Sequence, residues 1–277
     1  MTGVELGPAI AQGRTSEVFA IGTSKMLKLF RPQMPRGAAD YEWRIAQTLN
    51  ANAAPALHAF EFALVQGRAG IIYERVNGES MLQRLRQRPW QARRLAHLMA
   101  DAHAAIHAVS ATDLPGLPSQ RERMCWQLHN VEALSNAEKA RIQSAIESLP
   151  GGSALCHGDF HPDNIPLTTR GIAIIDWNNA TAGNPNGDVA WTLLLFTYAT
   201  PADIYWPLSV IIGSLQRAFR AAYLSRYLEV TRALKRDIDV WRVPITAVRL
   251  ADGIAAERSA LLQAVRGGIA DLYSASA

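Results

Sequence analysis

The sequence predicts an α+β fold, and three observations carry that prediction. Residues 1–76 alternate short apolar runs with turn residues, the pattern of a small antiparallel sheet interrupted by a helix. From Ser80 onward the spacing is helical, with Leu95, Met99, Ala102, Ile106 and Val109 at three- and four-residue steps. Between helical stretches lies Cys156-His157-Gly158-Asp159-Phe160-His161-Pro162-Asp163-Asn164-Ile165, then Ile172-Ala173-Ile174-Ile175-Asp176-Trp177. Acid, amide and imidazole groups are denser there than anywhere else in the chain.

In the N-terminal part, Gly13, Thr15 and Ser16 sit between two strand-like runs. A glycine beside hydroxyl residues lets backbone N–H groups approach phosphate oxygens, and the same residues also make an ordinary hairpin turn. Met26-Leu27-Lys28-Leu29-Phe30 sets a charge inside an apolar run, which is costly unless the ammonium finds an anion. The suitable anion is Glu42, on a stretch with Tyr41, Ile45 and Leu49 at helical spacing. Lys25 competes for the role, because strand alternation does not by itself say which face is buried. Gly70–Val76 reads as the last strand, and the turn Asn77-Gly78-Glu79-Ser80 marks a junction between a lobe of residues 1–76 and one of residues 77–277.

In the helical part, His103 and His107 have the i, i+4 spacing that can chelate zinc, but Ala104 and Ala105 fill the positions between, so packed or surface histidines are the expectation. Pro115, Gly116 and Pro118 break the chain, and helices are expected over 121–134 and 137–149. Asp188 precedes the run Val189–Leu195 and is expected to cap it. Residues 203–273 show helical spacing and are expected to wall a substrate pocket.

For the central stretch, the β-branched run 172–175 predicts a short buried strand with Asp176 at its end. A loop folding back from Leu155-Cys156-His157 is then expected to bring Asp159, Asn164 and Asp176 together. Oxygen donors of that kind suit Mg²⁺, which takes one or two carboxylates and completes its shell with water and phosphate oxygens. Pro166 gives no N–H to a ladder, so the strand it begins is expected to be an edge or to start late.

Asp159 and Asn164 are five positions apart, the separation between the catalytic Asp and the second-metal Asn of protein kinases, with a metal-binding Asp further on. His-Gly-Asp-Phe-His-Pro-Asp-Asn followed by Ile-Ile-Asp-Trp resembles the aminoglycoside phosphotransferase and choline kinase family, small-molecule relatives of protein kinases. The resemblance covers nearly the whole chain and implies a protein-kinase-like two-lobed fold, a small antiparallel-sheet lobe and a mainly helical one. It implies Asp159 as catalytic base, Asn164 and Asp176 as Mg²⁺ ligands and His157 as a buttress of the loop. It also implies Lys28 with Glu42 as the pair that positions the nucleotide phosphates, main-chain contacts to the purine around Glu74 and Val76, and Asp188 as support behind the catalytic loop. The donor would be ATP or GTP and the acceptor a hydroxyl of a small molecule.

Bulk properties narrow the classes. The net charge is +4, yet the arginines are scattered along amphipathic patterns, which argues against nucleic acid. Two cysteines, Cys125 and Cys156, are too few for a disulfide framework and read as reduced thiols in a cytoplasmic setting. The longest apolar run, near Val189–Ala199, is short of the ~20 residues of a membrane span, and the N-terminus has no basic region followed by an apolar core. A metal-dependent phosphohydrolase would need further His and Asp motifs that the sequence lacks. A kinase-fold module that binds nucleotide without turnover would have lost one of the functional residues, and all are in place. After Trp177 the chain holds eight acids against ten bases, too few carboxylates for a polycation. Trp177, Trp191, Trp206, Trp241, Tyr198, Tyr205, Tyr223 and Tyr227 read chiefly as core and offer surface for a ring or one ammonium. The acceptor expected is therefore neutral or singly charged.

Overall fold

A computed structural model describes residues 6–52, 54–169, 171–198 and 208–274; the side chains of 208–212 and 270–274 are outside that description. In chain order the first elements are β1 (Ala9–Gln12), β2 (Ser16–Ile21), β3 (Lys25–Phe30), α1 (Arg36–Ala51), β4 (Ala59–Val65) and β5 (Arg68–Glu74). Next come β6 (Glu79–Ser80), α2 (Met81–Gln87), α3 (Ala92–His107), α4 (Gln120–His129), α5 (Asn136–Ser148), β7 (Ala154–Cys156), β8 (Pro166–Thr168) and β9 (Gly171–Ile172). The chain closes with β10 (Thr181–Gly183), α6 (Pro185–Tyr198), α7 (Leu208–Thr231), α8 (Lys235–Asp239), α9 (Arg242–Arg249) and α10 (Ala255–Ser274). Two compact units result, one of 1–84, 113–117 and 162–179, the other of 85–112, 118–161 and 180–277.

The first unit is built on a five-stranded antiparallel sheet in the order β1-β2-β3-β5-β4. Both faces are apolar, which explains the near-continuous hydrophobic runs in β3 and β5. Leu27 and Leu29 pack with Phe19, Val65 and Ile72 on one face. Phe30 and Ile71 pack with Ala39 and Ala46 of α1 on the other. Alternation along β3 therefore puts Lys28, between Leu27 and Leu29, on the side that carries α1. The buried stripe of α1 is Ala39, Glu42, Ile45, Ala46 and Leu49, so an acid occupies an apolar register position.

The same unit holds a small sheet in the order β6-β8-β9. Two expectations need correction here. The strand begun by Pro166 is central and not an edge; proline takes its first position, and its carbonyl accepts from Ala173 N–H at 2.9 Å. The run 172–175 is not a strand throughout. Pairing ends at Ile172, because Pro166, opposite Ala173, has no N–H to return the bond; Asp176 then takes the left-handed region at φ 65°.

In the second unit α3 packs on α7, and α9 packs against α6 and α10. Serine caps start α4 and α5: Ser119 accepts from Glu122 N–H, and Ser135 forms a reciprocal capping box with Glu138. α6 starts at Pro185, a favoured first position because its missing N–H would be unpaired there anyway. Asp188 consequently lies inside the first turn and is not the N-cap expected of it. β7 pairs with β10, and Cys125 and Cys156 are free thiols. Among the described residues no helix is long and apolar enough to cross a membrane.

Gly78 permits the β6–β8 pairing. A Cβ there would lie 2.0 Å from the Leu167 carbonyl oxygen. Gly78→Ala is expected to cost about 2 kcal/mol of stability through that backbone clash. Urea unfolding checks this, and an unchanged midpoint would contradict the close approach.

Candidate active site

The functional side chains of the first unit centre on Lys28. Its Nζ donates to both Glu42 carboxylate oxygens and to Asp176 Oδ1, each at 2.9 Å. Burial opposes the ammonium charge, but the two carboxylates more than offset it and hold the group above its ordinary value. Tyr73 O–H donates to Glu42 at 2.9 Å, and burial together with that acid pushes the phenol well up. Lys25 is exposed and lies over the Phe60 ring, so β3 presents Lys28 and not Lys25 to the helix.

Asn164 and Asp176 are the residues of this unit that could hold a metal. Ile175 N–H donates to the Asn164 carbonyl at 3.1 Å, which fixes the backbone of one ligand candidate against the neighbour of the other. Lys28 and Asn178 both donate to Asp176 Oδ1, whereas Oδ2 accepts no hydrogen bond among the described residues. The Asp176 side chain is 39% exposed, against 6% for Glu42, so its second oxygen is reachable. One carboxylate and one amide oxygen fit a hard cation such as Mg²⁺. The left-handed backbone at Asp176 is a strained conformation of a kind that clusters at functional sites.

Gly13 and Thr15 lie in the turn between β1 and β2 and Ser16 opens β2, with Gly13 N–H donating to Ser16 O at 2.8 Å and Arg31 N–H to Thr15 O at 2.9 Å. Glu74 ends β5 and donates its N–H to His58 O, and Val76 follows two residues on.

Asp159 belongs to the second unit. Its N–H donates to His157 Nδ1 at 3.2 Å, and its Oδ2 lies 3.6 Å from His161 Nε2. Burial works to raise the Asp159 pKa, but the hydrogen bond and charge of His161 prevail and hold the carboxyl below its ordinary range. Behind this loop stands Asp188, fully buried. Its Oδ2 accepts from His157 N–H at 2.6 Å and its Oδ1 from Gly158 N–H at 2.9 Å. Thr192, on the same helix, donates its hydroxyl to the Phe160 carbonyl at 2.9 Å.

His103 and His107 complete the arrangement. Their Nε2 atoms lie 3.1 and 3.2 Å from Asp188 Oδ2, and their Nδ1 atoms 2.6 and 2.7 Å from the Tyr223 and Tyr227 hydroxyls. With both rings neutral, each phenol donates to Nδ1 and each Nε2–H to the carboxylate, so every polar atom is paired. Burial, with His107 beside it, pushes His103 down to about 3, consistent with a neutral ring. Burial would raise Asp188, yet His103 and His107 hold it well below the usual carboxylate range. The three residues have the proximity of a metal cluster, but their ligand atoms are consumed in hydrogen bonds. These histidines are packed, as the sequence led one to expect.

Sequence reading missed several partners. His161 was in plain view within the central stretch. Tyr223 and Tyr227 repeat the i, i+4 spacing of His103 and His107 at a constant separation of 120 residues, a signal that pairs two facing helices. Arg249, buried and bound to Glu257 at 2.8 and 2.9 Å and to Asp252 at 2.8 Å, gave no local signal. Among the aromatic candidates, Trp177, Trp191, Trp241, Tyr223 and Tyr227 are core, and Tyr205 and Trp206 lie outside the described residues.

An antiparallel sheet bearing a lysine–glutamate pair, a mainly helical remainder and a carboxylate-anchored loop define a kinase-like fold. Residues 7–237 match the family model described as phosphotransferase enzyme family, and the chain belongs to that family. Its fold is similar to that of a thermostable mutant of aminoglycoside phosphotransferase APH(4)-Ia, with a TM-score of 0.64, 16% identity and coverage of 97% of this chain and 94% of that one. It is also similar to aminoglycoside-3'-phosphotransferase of type VIII (TM-score 0.59, 19% identity, 89% and 92% coverage). A choline/ethanolamine kinase family protein from Mesorhizobium loti gives a TM-score of 0.55 at 15% identity, with 97% and 87% coverage. In sequence, Acyl-CoA dehydrogenase family member 11 of Gallus gallus is 37% identical over 54 residues, 18% of this chain and 7% of that protein.

The Asp188 network has a measurable consequence. Asp188→Asn replaces one acceptor oxygen by an amide that faces N–H donors, and a loss of about 3 kcal/mol of folding stability is expected. Equilibrium unfolding in urea measures it, and a loss below about 1 kcal/mol would show that the four donors find other acceptors.

Proposed function

We propose that this phosphotransferase moves the γ-phosphoryl group of ATP or GTP to a hydroxyl of a small molecule in an Mg²⁺-dependent reaction. The observation that carries the reading is the Lys28 ammonium held between Glu42 and Asp176. Kinases need both a strand lysine paired to a helix glutamate and a metal-binding aspartate in place. Complexes of relatives support the nucleotide: the APH(4)-Ia mutant was crystallised with AMP-PNP and hygromycin B, and APH(2")-IIIa with GDP and kanamycin.

In this reading residues 1–76 form the nucleotide-binding lobe and residues 77–277 carry the catalytic loop and acceptor site. Lys28 neutralises the non-transferred phosphates, with Glu42 fixing its position. Backbone N–H groups around Gly13, Thr15 and Ser16 cover the phosphates, and main-chain groups near Glu74 and Val76 meet the purine. Asn164 and Asp176 hold Mg²⁺, which when bound neutralises charge on the phosphoryl oxygens. Asp159 orients the acceptor hydroxyl and takes its proton, a role that needs the carboxylate ionised, as its lowered pKa provides. Most of the rate gain comes from positioning and charge compensation.

Asp159→Asn should lower kcat by about 100-fold or more while nucleotide affinity is unchanged. Asp176→Ala should remove the Mg²⁺ dependence of nucleotide binding. Near-wild-type turnover in the first variant, or identical magnesium titrations in the second, would overturn these roles.

The pH dependence gives a separate test. Asp159 is the base when ionised, so activity falls as pH drops through its pKa. His161→Asn removes the group that holds this pKa low and leaves burial, which raises it. The acid limb of the kcat–pH profile should therefore move to higher pH. A limb that stays in place would assign it to another group.

A further inference from the structure

The second unit contains a cavity of about 420 Å³ among α6, α7, α8, α9 and α10, within the range of small-molecule sites. Its apolar lining includes Leu193, Leu194 and Ile238. Three charged residues line it: Arg220, Arg242 and Asp239. Asp239 is neutralised by Lys235 Nζ at 2.5 Å. Arg220 donates one N–H to the Thr197 hydroxyl at 2.8 Å, an uncharged partner, and Arg242 makes no ion pair among the described residues. Two exposed arginines and a set of apolar residues thus line the space, with no unpaired carboxylate among the described lining residues.

The wall supplied by α10 is open for a reason visible in the sequence. Gly267 and Gly268 are adjacent, and a Cβ at Gly267 would meet nothing within 4 Å. At Gly268 a Cβ would come within 2.4 Å of Val243, so this glycine lets α10 approach α9 closely. Helix α6, which lines the cavity, also holds the loop of Asp159 through Asp188 and Thr192. Thr192, which bonds the Phe160 carbonyl beside Asp159, adjoins Leu193. On α9 the positions 242, 246 and 249 form one stripe: Arg242 and Thr246 line the cavity, and the charge of Arg249 acts on Asp159.

We propose that this cavity binds the acceptor through an anionic group, so that the substrate class is a small alcohol carrying a carboxylate or phosphate on a short aliphatic body. The guanidinium pair takes the anion by charge-assisted hydrogen bonds, and Leu193, Leu194 and Ile238 take the methylenes. A polycationic acceptor meets two like charges here. The proposal rests on the phosphotransferase reading only in calling the ligand an acceptor; the binding itself is independent of it.

The test uses a matched series that differs only at one end: 6-hydroxyhexanoate, 6-hydroxyhexyl phosphate, 1,6-hexanediol and 6-amino-1-hexanol. Binding to the full chain is measured by calorimetry without nucleotide. At least one anion should bind about tenfold or more tightly than the diol and the amine, and which anion binds better separates carboxylate from phosphate. Arg242→Gln should lower anion affinity about tenfold and leave the diol unchanged. Gly267→Leu should block every member by filling the space, with the thermal midpoint recorded as the folding control for both variants. The proposal is overturned if no anion binds, if the amine binds as tightly as the anions, or if a folded Arg242→Gln or Gly267→Leu variant binds anion as the wild type does. Turnover with the preferred anion is then assayed with ATP and GTP. Anion binding without phosphoryl transfer would count against the phosphotransferase reading of this cavity's ligand and leave the anion site standing.

Discussion

The carboxylate of Asp188 receives N–H groups from His157, Gly158, His103 and His107, and the loop that carries Asp159 depends on it. A buried acid is tolerated only when its charge is met by donors, and here two come from the loop backbone and two from a helix. The carboxylate only accepts, so a neutral imidazole must turn Nε2–H toward it and take the tyrosine O–H at Nδ1; the direction of each hydrogen bond is therefore set from Asp188 outward. Because α3, α6, α7 and the loop all contribute, the loop cannot shift without leaving a buried polar group unpaired.

In the first unit a lysine plays the corresponding part. Lys28 stands on an apolar strand, Glu42 on the buried stripe of an apolar helix, and each would be costly alone. Their pairing, extended to Asp176, reconciles both with the core and leaves one Asp176 oxygen without a hydrogen-bond partner among the described residues. Tyr73 adds a neutral donor to Glu42 from the adjoining strand. The unit thereby spends buried charge on a place where phosphate and a hard cation could be received.

Much of the architecture was legible because it follows from short-range periodicity. The strands of the first sheet, the α1 stripe and α3 all sit where period-two and three-to-four spacing put them. Element limits were less legible where a single residue decides them. Pro185 starts α6 early enough to place Asp188 in its first turn, and Pro166, with no N–H to return the bond from Ala173, ends the β8–β9 pairing at Ile172.

By itself the sequence determined a sheet-rich first part and a helical remainder, the cluster of acid and amide groups around residues 156–176, and the pairing need created by placing Lys28 in an apolar run. These are local properties, written in spacing and in the cost of burying charge. Which partners answer that need was decided only by the tertiary structure. Alternation left Lys25 and Lys28 both open until the packing of β3 between two apolar layers put the second on the α1 side. Tyr223, Tyr227, Arg249 and Glu257 joined buried polar networks through contacts between helices distant in sequence or across a turn, and no local pattern encodes which donor meets which acceptor once the core has closed.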